Sequence, residues 1–302
     1  MVHPSRSFGS VSVAMVTPML PDGSVDLVSA RRLATHLVAS GCDALVVNGT
    51  TGESPTTHTP EKDELITAVV DEVGDRAMII AGAGSNDTAH AVRIAQAAHR
   101  AGAHGLLVVS PYYNRPSQEG VFRHTLAIVE STPLPVMLYD IPGRTGVAFG
   151  DETLDRLAEH PQVKAVKDAT GDVAQGFDRM RRTGLEFYSG DDSLNLAWLV
   201  HGASGVVSVV GHLLAGSYVA MVAAVDAGEL ETARDISATL APVCDALMGG
   251  GQGAVMAKAA LALQGHIDHP TVRSPLVEAN HAELTDLRTA MVLHGLLKDN
   301  ER

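Results

Sequence analysis

Eight short apolar runs punctuate this chain, and a stretch with helical patterning fills the interval after each. The runs are Val13–Val16, Ala44–Val47, Met78–Ala81, Leu106–Val109, Val136–Tyr139, Val163–Lys167, Phe187–Ser189 and Val206–Val209. Their starts lie roughly 20–35 residues apart, the length of one strand plus one helix. Between them, Ala30, Leu33, Ala34, Leu37 and Val38 form one apolar stripe at helical spacing. Thr59-Pro60-Glu61 reads as an N-cap, a proline at the first helical position and an acid matched to the dipole. Gly41 and Gly102 follow helical stretches, where a left-handed residue ends a helix.

Eight strand–helix units predict an α/β fold, a (β/α)8 TIM barrel with additional C-terminal helices. The barrel core is expected over 1–213. Residues 214–302 read as a C-terminal helical region packed on the barrel, interrupted at Gly249–Gly251 and ending in a polar tail. The 302 residues are enough for two domains, but barrels of this length fold as one unit. An open doubly wound sheet shows the same alternation. Its phosphate loop is poorly represented: Gly82-Ala83-Gly84-Ser85-Asn86-Asp87 lacks the third glycine, and no Gly-x-x-x-x-Gly-Lys-Ser/Thr loop occurs.

Composition narrows the partners. A formal charge of −13 argues against nucleic acid and anionic membranes, which select for basic patches. Cys42 and Cys244 are the only cysteines, too few for a disulfide framework or a zinc set. The 14 histidines are scattered, and His266-Ile267-Asp268-His269 is too isolated to form a cage, so no metal site is expected. Residues 1–10 hold Arg6 but no apolar signal region, and no run of about 18 apolar residues occurs, which points to the cytoplasm.

The loops that leave the C-terminal ends of barrel strands build the active site. Here those ends carry Gly49-Thr50-Thr51-Gly52-Glu53, Ser110-Pro111-Tyr112-Tyr113-Asn114, Tyr139-Asp140-Ile141-Pro142-Gly143-Arg144-Thr145, Val166-Lys167-Asp168-Ala169-Thr170-Gly171 and Ser189-Gly190-Asp191-Asp192. Lys167 is one of only five lysines and ends a buried strand. A side-chain period of two places Val163, Ala165 and Lys167 on one face, with Lys164 on the other. If that face is the interior, burial disfavours the ammonium and favours the neutral amine that attacks carbonyls. A rim lysine paired with Asp168 fits the same position. Tyr112, Tyr113 and Tyr139 all lie at strand ends, as proton relays or as packed aromatics with a wet tip. Arg144 follows a Pro-Gly turn and suits bidentate capture of a carboxylate, or simply faces solvent. Gly190 and Thr50-Thr51 suit close backbone approach to a small anion.

These segments, in this order, resemble the dihydrodipicolinate synthase and N-acetylneuraminate lyase group of class I aldolases. The resemblance covers nearly the whole chain, from Val16-Thr17-Pro18 through the helical C-terminus. Arg144 after the Tyr-x-x-Pro-x segment and the second tyrosine, Tyr113, favour the synthase branch. Asp140 stands where asparagine is commoner, as in forms from high-GC Gram-positive bacteria. The resemblance implies a Schiff base between Lys167 and pyruvate, whose enamine adds to L-aspartate 4-semialdehyde in the diaminopimelate route to lysine. It implies that Tyr139 moves protons, relayed through Thr50 to a neighbouring subunit's Tyr113. Thr51 would hold the pyruvate carboxylate and Arg144 the semialdehyde carboxylate, with Gly190 and Val207 lining the pocket. It also implies a homotetramer built as a dimer of dimers, and no organic cofactor or catalytic metal, since the lysine is the electron sink. Positions that correspond to a lysine-feedback site in some synthases carry Lys62 and His90, so feedback should be weak or absent. Two alternatives stay open: another pyruvate aldolase of the group, and a catalytically silent keto-acid-binding paralogue.

Overall fold

The computed structural model describes residues 6–298. Each apolar run becomes a strand: β1 (Val11–Ala14), β2 (Ala44–Val47), β3 (Met78–Gly82), β4 (Gly105–Val109), β5 (Val136–Asp140), β6 (Val163–Asp168), β7 (Glu186–Ser189) and β8 (Gly205–Ser208). All pairs are parallel, and β1 hydrogen-bonds to β8, which closes the barrel. Closure leaves no edge strand and commits one face of every strand to the interior.

That commitment sorts the side chains into two layers. Phe8, Ala14, Val46, Ile80, Leu107, Met137, Tyr139, Ala165, Tyr188 and Val207 form an inner cluster. Their neighbours in sequence, such as Leu45, Val47, Leu138, Val166 and Val206, join the larger core between strands and helices. Phe8 plugs the floor and meets the Tyr188 ring edge-on, with centroids 6.2 Å apart.

Helices return the chain between strands. Leu27–Ala39 begins at Asp26, whose carboxylate accepts the N–H groups of Val28 and Ser29. It buries Ala30, Leu33, Ala34 and Leu37. Gly41 and Gly102 take φ of +103° and +91° just past their helices, as a left-handed terminus requires. After β8 come the helices Gly211–Ala227, Leu230–Cys244, Gly253–Leu263 and His281–Leu293. The first of these has a kink at Leu214. A π-helical turn at Asp245–Gly249 ends the second, so the glycine run does interrupt the helices. Among the described residues no helix is long and apolar enough to cross a membrane. The polar tail expected at the end of the chain lies mostly outside the described residues.

Four local expectations need correction. First, β1 stops at Ala14 and β8 at Ser208, short of Val16 and Val209. Val16 donates its N–H to His212 Nε2 at 3.0 Å, and Val209 donates to Asp192 Oδ2 at 2.8 Å, so side chains take the groups that a ladder would use. Second, Thr59 does not cap the next helix. That helix starts at Glu61 with Pro60 in the cap position, and the Glu61 carboxylate accepts the His58 N–H at 2.7 Å. Third, the open-sheet alternative falls to the closed barrel. Fourth, Val163 does not share a face with Ala165 and Lys167. The β5–β6 register jumps from Val136↔Val163 to Met137↔Ala165, a bulge that leaves Lys164 outside the ladder and exposed. Val163 therefore packs in the outer core while Ala165 packs in the inner one.

Candidate active site

The bulge restores an alternation that carries Lys167 to the inner mouth of the barrel, where it is 5% exposed. Its register partner across β5 is Tyr139, also buried. Lys167 Nζ stands 4.2 Å from the Tyr139 ring centroid. A ring face so placed attracts an ammonium by about 2 kcal/mol when desolvated, which orients the side chain. Among the described residues no carboxylate pairs with Lys167, which disposes of the rim ion pair with Asp168. Asp168 instead points its Oδ1 at Thr170, accepting the backbone N–H at 2.9 Å and the hydroxyl at 2.7 Å.

Gly190, at the end of β7, makes room for the lysine. A Cβ there would lie 2.8 Å from Lys167 Cε and 3.0 Å from the Asp168 carbonyl oxygen. The Gly190 N–H donates to that same oxygen at 2.7 Å. Val207 is buried in the inner cluster on β8.

A cavity of about 240 Å³ lies at the barrel mouth beside Tyr139, and Lys167, Gly190 and Val207 do not contribute to its wall. Thr50, Ser54, Tyr112, Tyr139 and Arg144 contribute to its wall, together with Asn48. Arg144 sits in the short turn Pro142–Thr145, which Pro142 opens and Gly146, at φ +75°, closes. Its side chain is exposed at the rim. Thr51 is buried behind the loop and does not contribute to the cavity wall. Tyr113 stands clear of the cavity of its own chain: it is 88% exposed and holds a left-handed φ of +76°. A bulky residue in that conformation is uncommon, and here the Tyr113 N–H donates to Thr145 O at 3.2 Å.

Asn48 and Ser54 were not singled out from the sequence. Asn48 takes φ +56° directly after β2, a conformation that asparagine tolerates better than most residues. The turn is so tight that a Cβ on Gly82 would lie 2.1 Å from the Asn48 carbonyl oxygen. An asparagine between a strand and a glycine-rich loop is the signal that would have found it.

Behind the site, the register pair next to Tyr139 and Lys167 is Asp140 and Asp168, both buried and both directed away from the barrel axis. Arg179, 5% exposed in its side chain, pairs with Asp140 at 3.2 Å and with Asp151 at 2.8 Å. Burial, and then the charge of Asp168, raise the Asp140 carboxyl to about 7 despite Arg179. Burial also raises Asp168, whose Oδ2 has no hydrogen-bond partner among the described residues. Among the described residues no cluster of three or more His, Cys, Asp or Glu is placed to hold a metal ion. His212 is engaged on both ring nitrogens, by the Val16 N–H and by Val209 O.

Comparison with known proteins agrees with the barrel fold. The Dihydrodipicolinate synthetase family model matches residues 7–292. A 4-hydroxy-tetrahydrodipicolinate synthase from Kineococcus radiotolerans is 53% identical over 97% of this chain and 96% of its own length. A dihydrodipicolinate synthase from Bacillus anthracis superposes with a TM-score of 0.91 at 40% identity, covering 94% of this chain and 97% of that one. One from Acinetobacter baumannii, complexed with pyruvate, superposes with a TM-score of 0.92 at 36% identity over 96% and 99% of the two chains. With a lysine at the barrel mouth, a tyrosine against it and a family match that runs almost end to end, the chain belongs to the dihydrodipicolinate synthetase family.

Proposed function

We propose that this chain condenses pyruvate with L-aspartate 4-semialdehyde through a Schiff base on Lys167. The activity is that of a 4-hydroxy-tetrahydrodipicolinate synthase, a class I aldolase-type lyase of lysine biosynthesis. The observation that carries the residue assignment is Lys167 held at the barrel mouth by the Tyr139 ring, with no carboxylate among the described residues to fix it as an ammonium.

The neutral Lys167 amine attacks the keto carbon of pyruvate, and water leaves to give the imine. Loss of a methyl proton forms the enamine, which adds to the aldehyde carbon of the second substrate. The amino group of the adduct then displaces Lys167 by transimination, and the ring closes as 4-hydroxy-tetrahydrodipicolinate. The Tyr139 hydroxyl moves protons at the imine, relayed through Thr50 to the partner subunit's Tyr113. The 88% exposure of Tyr113 supports a role outside its own chain. Thr51 and the adjoining backbone hold the pyruvate carboxylate, Arg144 holds the semialdehyde carboxylate, and Gly190 and Val207 shape the pocket. The assembly is a cytoplasmic homotetramer made of two tight dimers.

A coupled assay tests this: pyruvate, aspartate semialdehyde, dihydrodipicolinate reductase and NADPH. NADPH loss that disappears in Lys167→Ala is the expected result. Borohydride trapping of pyruvate on another lysine in that variant would overturn the assignment.

A further inference from the structure

The loop that carries Thr50 and Thr51 ends in Glu53, and Glu53 is tied to the far end of the chain. Its backbone takes φ +57°, a left-handed conformation that a glutamate adopts only when its surroundings impose it. Its side chain is fully buried and pairs with the ammonium of Lys258, itself fully buried in the helix Gly253–Leu263. Glu53 Oε2 also accepts the Arg273 N–H at 2.9 Å, and Lys258 donates a second bond to Thr271 O at 2.7 Å. Arg273 then donates to Glu61 Oε2 at 2.7 Å, to Thr56 O at 2.7 Å and to Gly23 O at 2.8 Å.

An ion pair in the interior is a poor way to stabilise a fold, because desolvating two charges offsets most of their attraction. Apolar residues of the same volume do as well or better. Lys258 is the single charge in Gly-Ala-Val-Met-Ala-Lys-Ala-Ala-Leu-Ala-Leu, a helix otherwise suited to plain apolar packing. What the pair supplies instead is direction: both carboxylate oxygens of Glu53 are held by segments remote in sequence, two residues beyond Thr51.

We propose that Glu53 and Lys258 are positioning residues through which the C-terminal helical region sets the placement of the Thr50–Thr51 loop, and so the grip on the pyruvate carboxylate. This rests on the reading that Thr51 and its backbone hold that carboxylate. Neither side chain touches substrate; they act through the loop. Binding of pyruvate therefore depends on the loop's anchor more than the chemical step or the second substrate does.

The test compares steady-state kinetics of three full-length variants with thermal unfolding of each. Lys258→Met leaves a lone buried carboxylate, and its pyruvate KM should rise about 10-fold or more, with the semialdehyde KM within about 2-fold. Glu53→Gln keeps the shape but removes the charge and one of the two acceptors, since its amide nitrogen can only donate, and should raise the pyruvate KM by about 3–10-fold; it carries the test alone if Lys258→Met does not fold. Thr51→Val should raise the pyruvate KM about 10-fold. A lowered Tm with an unchanged pyruvate KM in the folded Glu53 and Lys258 variants would mean a merely structural pair and overturn the proposal. So would equal rises for both substrates. If Thr51→Val also leaves the pyruvate KM unchanged, the carboxylate reading itself falls; if only Thr51→Val raises it, the coupling alone falls.

Discussion

Tyr139 and Lys167 are paired residues on adjacent strands, and the amine of one lies 4.2 Å from the ring centroid of the other. The contact joins the two strands at the mouth of the barrel, where Tyr139 reaches the cavity wall. The ring face meets the lysine, which leaves the phenol hydroxyl to serve chemistry.

Tyr139→Phe keeps that ring face and removes the hydroxyl. Turnover should fall by about 10²–10⁴, the usual worth of a positioned proton shuttle, while pyruvate is still trapped on Lys167 by borohydride. A loss of less than a few-fold in the coupled assay would rule out the relay.

Gly190→Ala places a methyl 2.8 Å from Lys167 Cε and 3.0 Å from a backbone oxygen. The oxygen is fixed by the β6 strand, so the lysine must move. A displacement of about 1 Å at a reacting group costs roughly 10² in rate, and that is the expected drop in kcat. Urea unfolding should show a loss of about 1–3 kcal/mol, the usual cost of overpacking. Unchanged kcat in the alanine variant would show that Lys167 is not confined by this wall.

Asp140 makes the fold sensitive to pH. Its carboxyl is raised to about 7 in the folded chain, by burial first and by Asp168 second. The native state thus binds more protons than the unfolded one between about pH 4 and 7, and this group's contribution is lost as pH rises through that window. Asp140→Asn removes the effect and leaves Arg179 held by Asp151 and by Phe149 O. Measured by urea unfolding, the variant's stability relative to wild type should improve by about 1–4 kcal/mol between pH 4.5 and pH 8. A difference that does not change with pH would mean that Asp140 titrates normally.

Lysine feedback should be absent below roughly 1 mM, though not because a free cation repels the ligand. Lys62 does not offer a free cation to repel a ligand. It is buried, its ammonium donates to Ser54 O at 2.9 Å and to Ser54 Oγ at 2.8 Å, and burial lowers it to about 8. Its ammonium is engaged by Ser54, and position 90 supplies no acid to hold an incoming ammonium. Submillimolar inhibition in a dose–response assay with lysine would contradict this.

The barrel and the order of residues at its mouth were written locally, and the long-range ties were not. Strand positions follow from apolar runs, because burial on both faces demands them. The order of reactive segments follows from their place at strand ends. Lys167, Tyr139, Thr50 and Arg144 could be named because each sits at a fixed offset from a strand. A period of two, however, says nothing about where a bulge falls, so Val163 was assigned to the wrong face although Lys167 was not. Asp140, Asp168 and Arg179 meet only because strands β5 and β6 face the helix Val173–Thr183. Glu53 and Lys258 are 205 residues apart, and a lone lysine in an apolar helix hints at a buried partner without naming it. Local sequence determines which elements form, since propensity and patterning act over a few residues. Which charges share a dry interior is decided by how the closed barrel and its C-terminal helices pack, because a buried charge is tolerated only where the tertiary fold brings its partner.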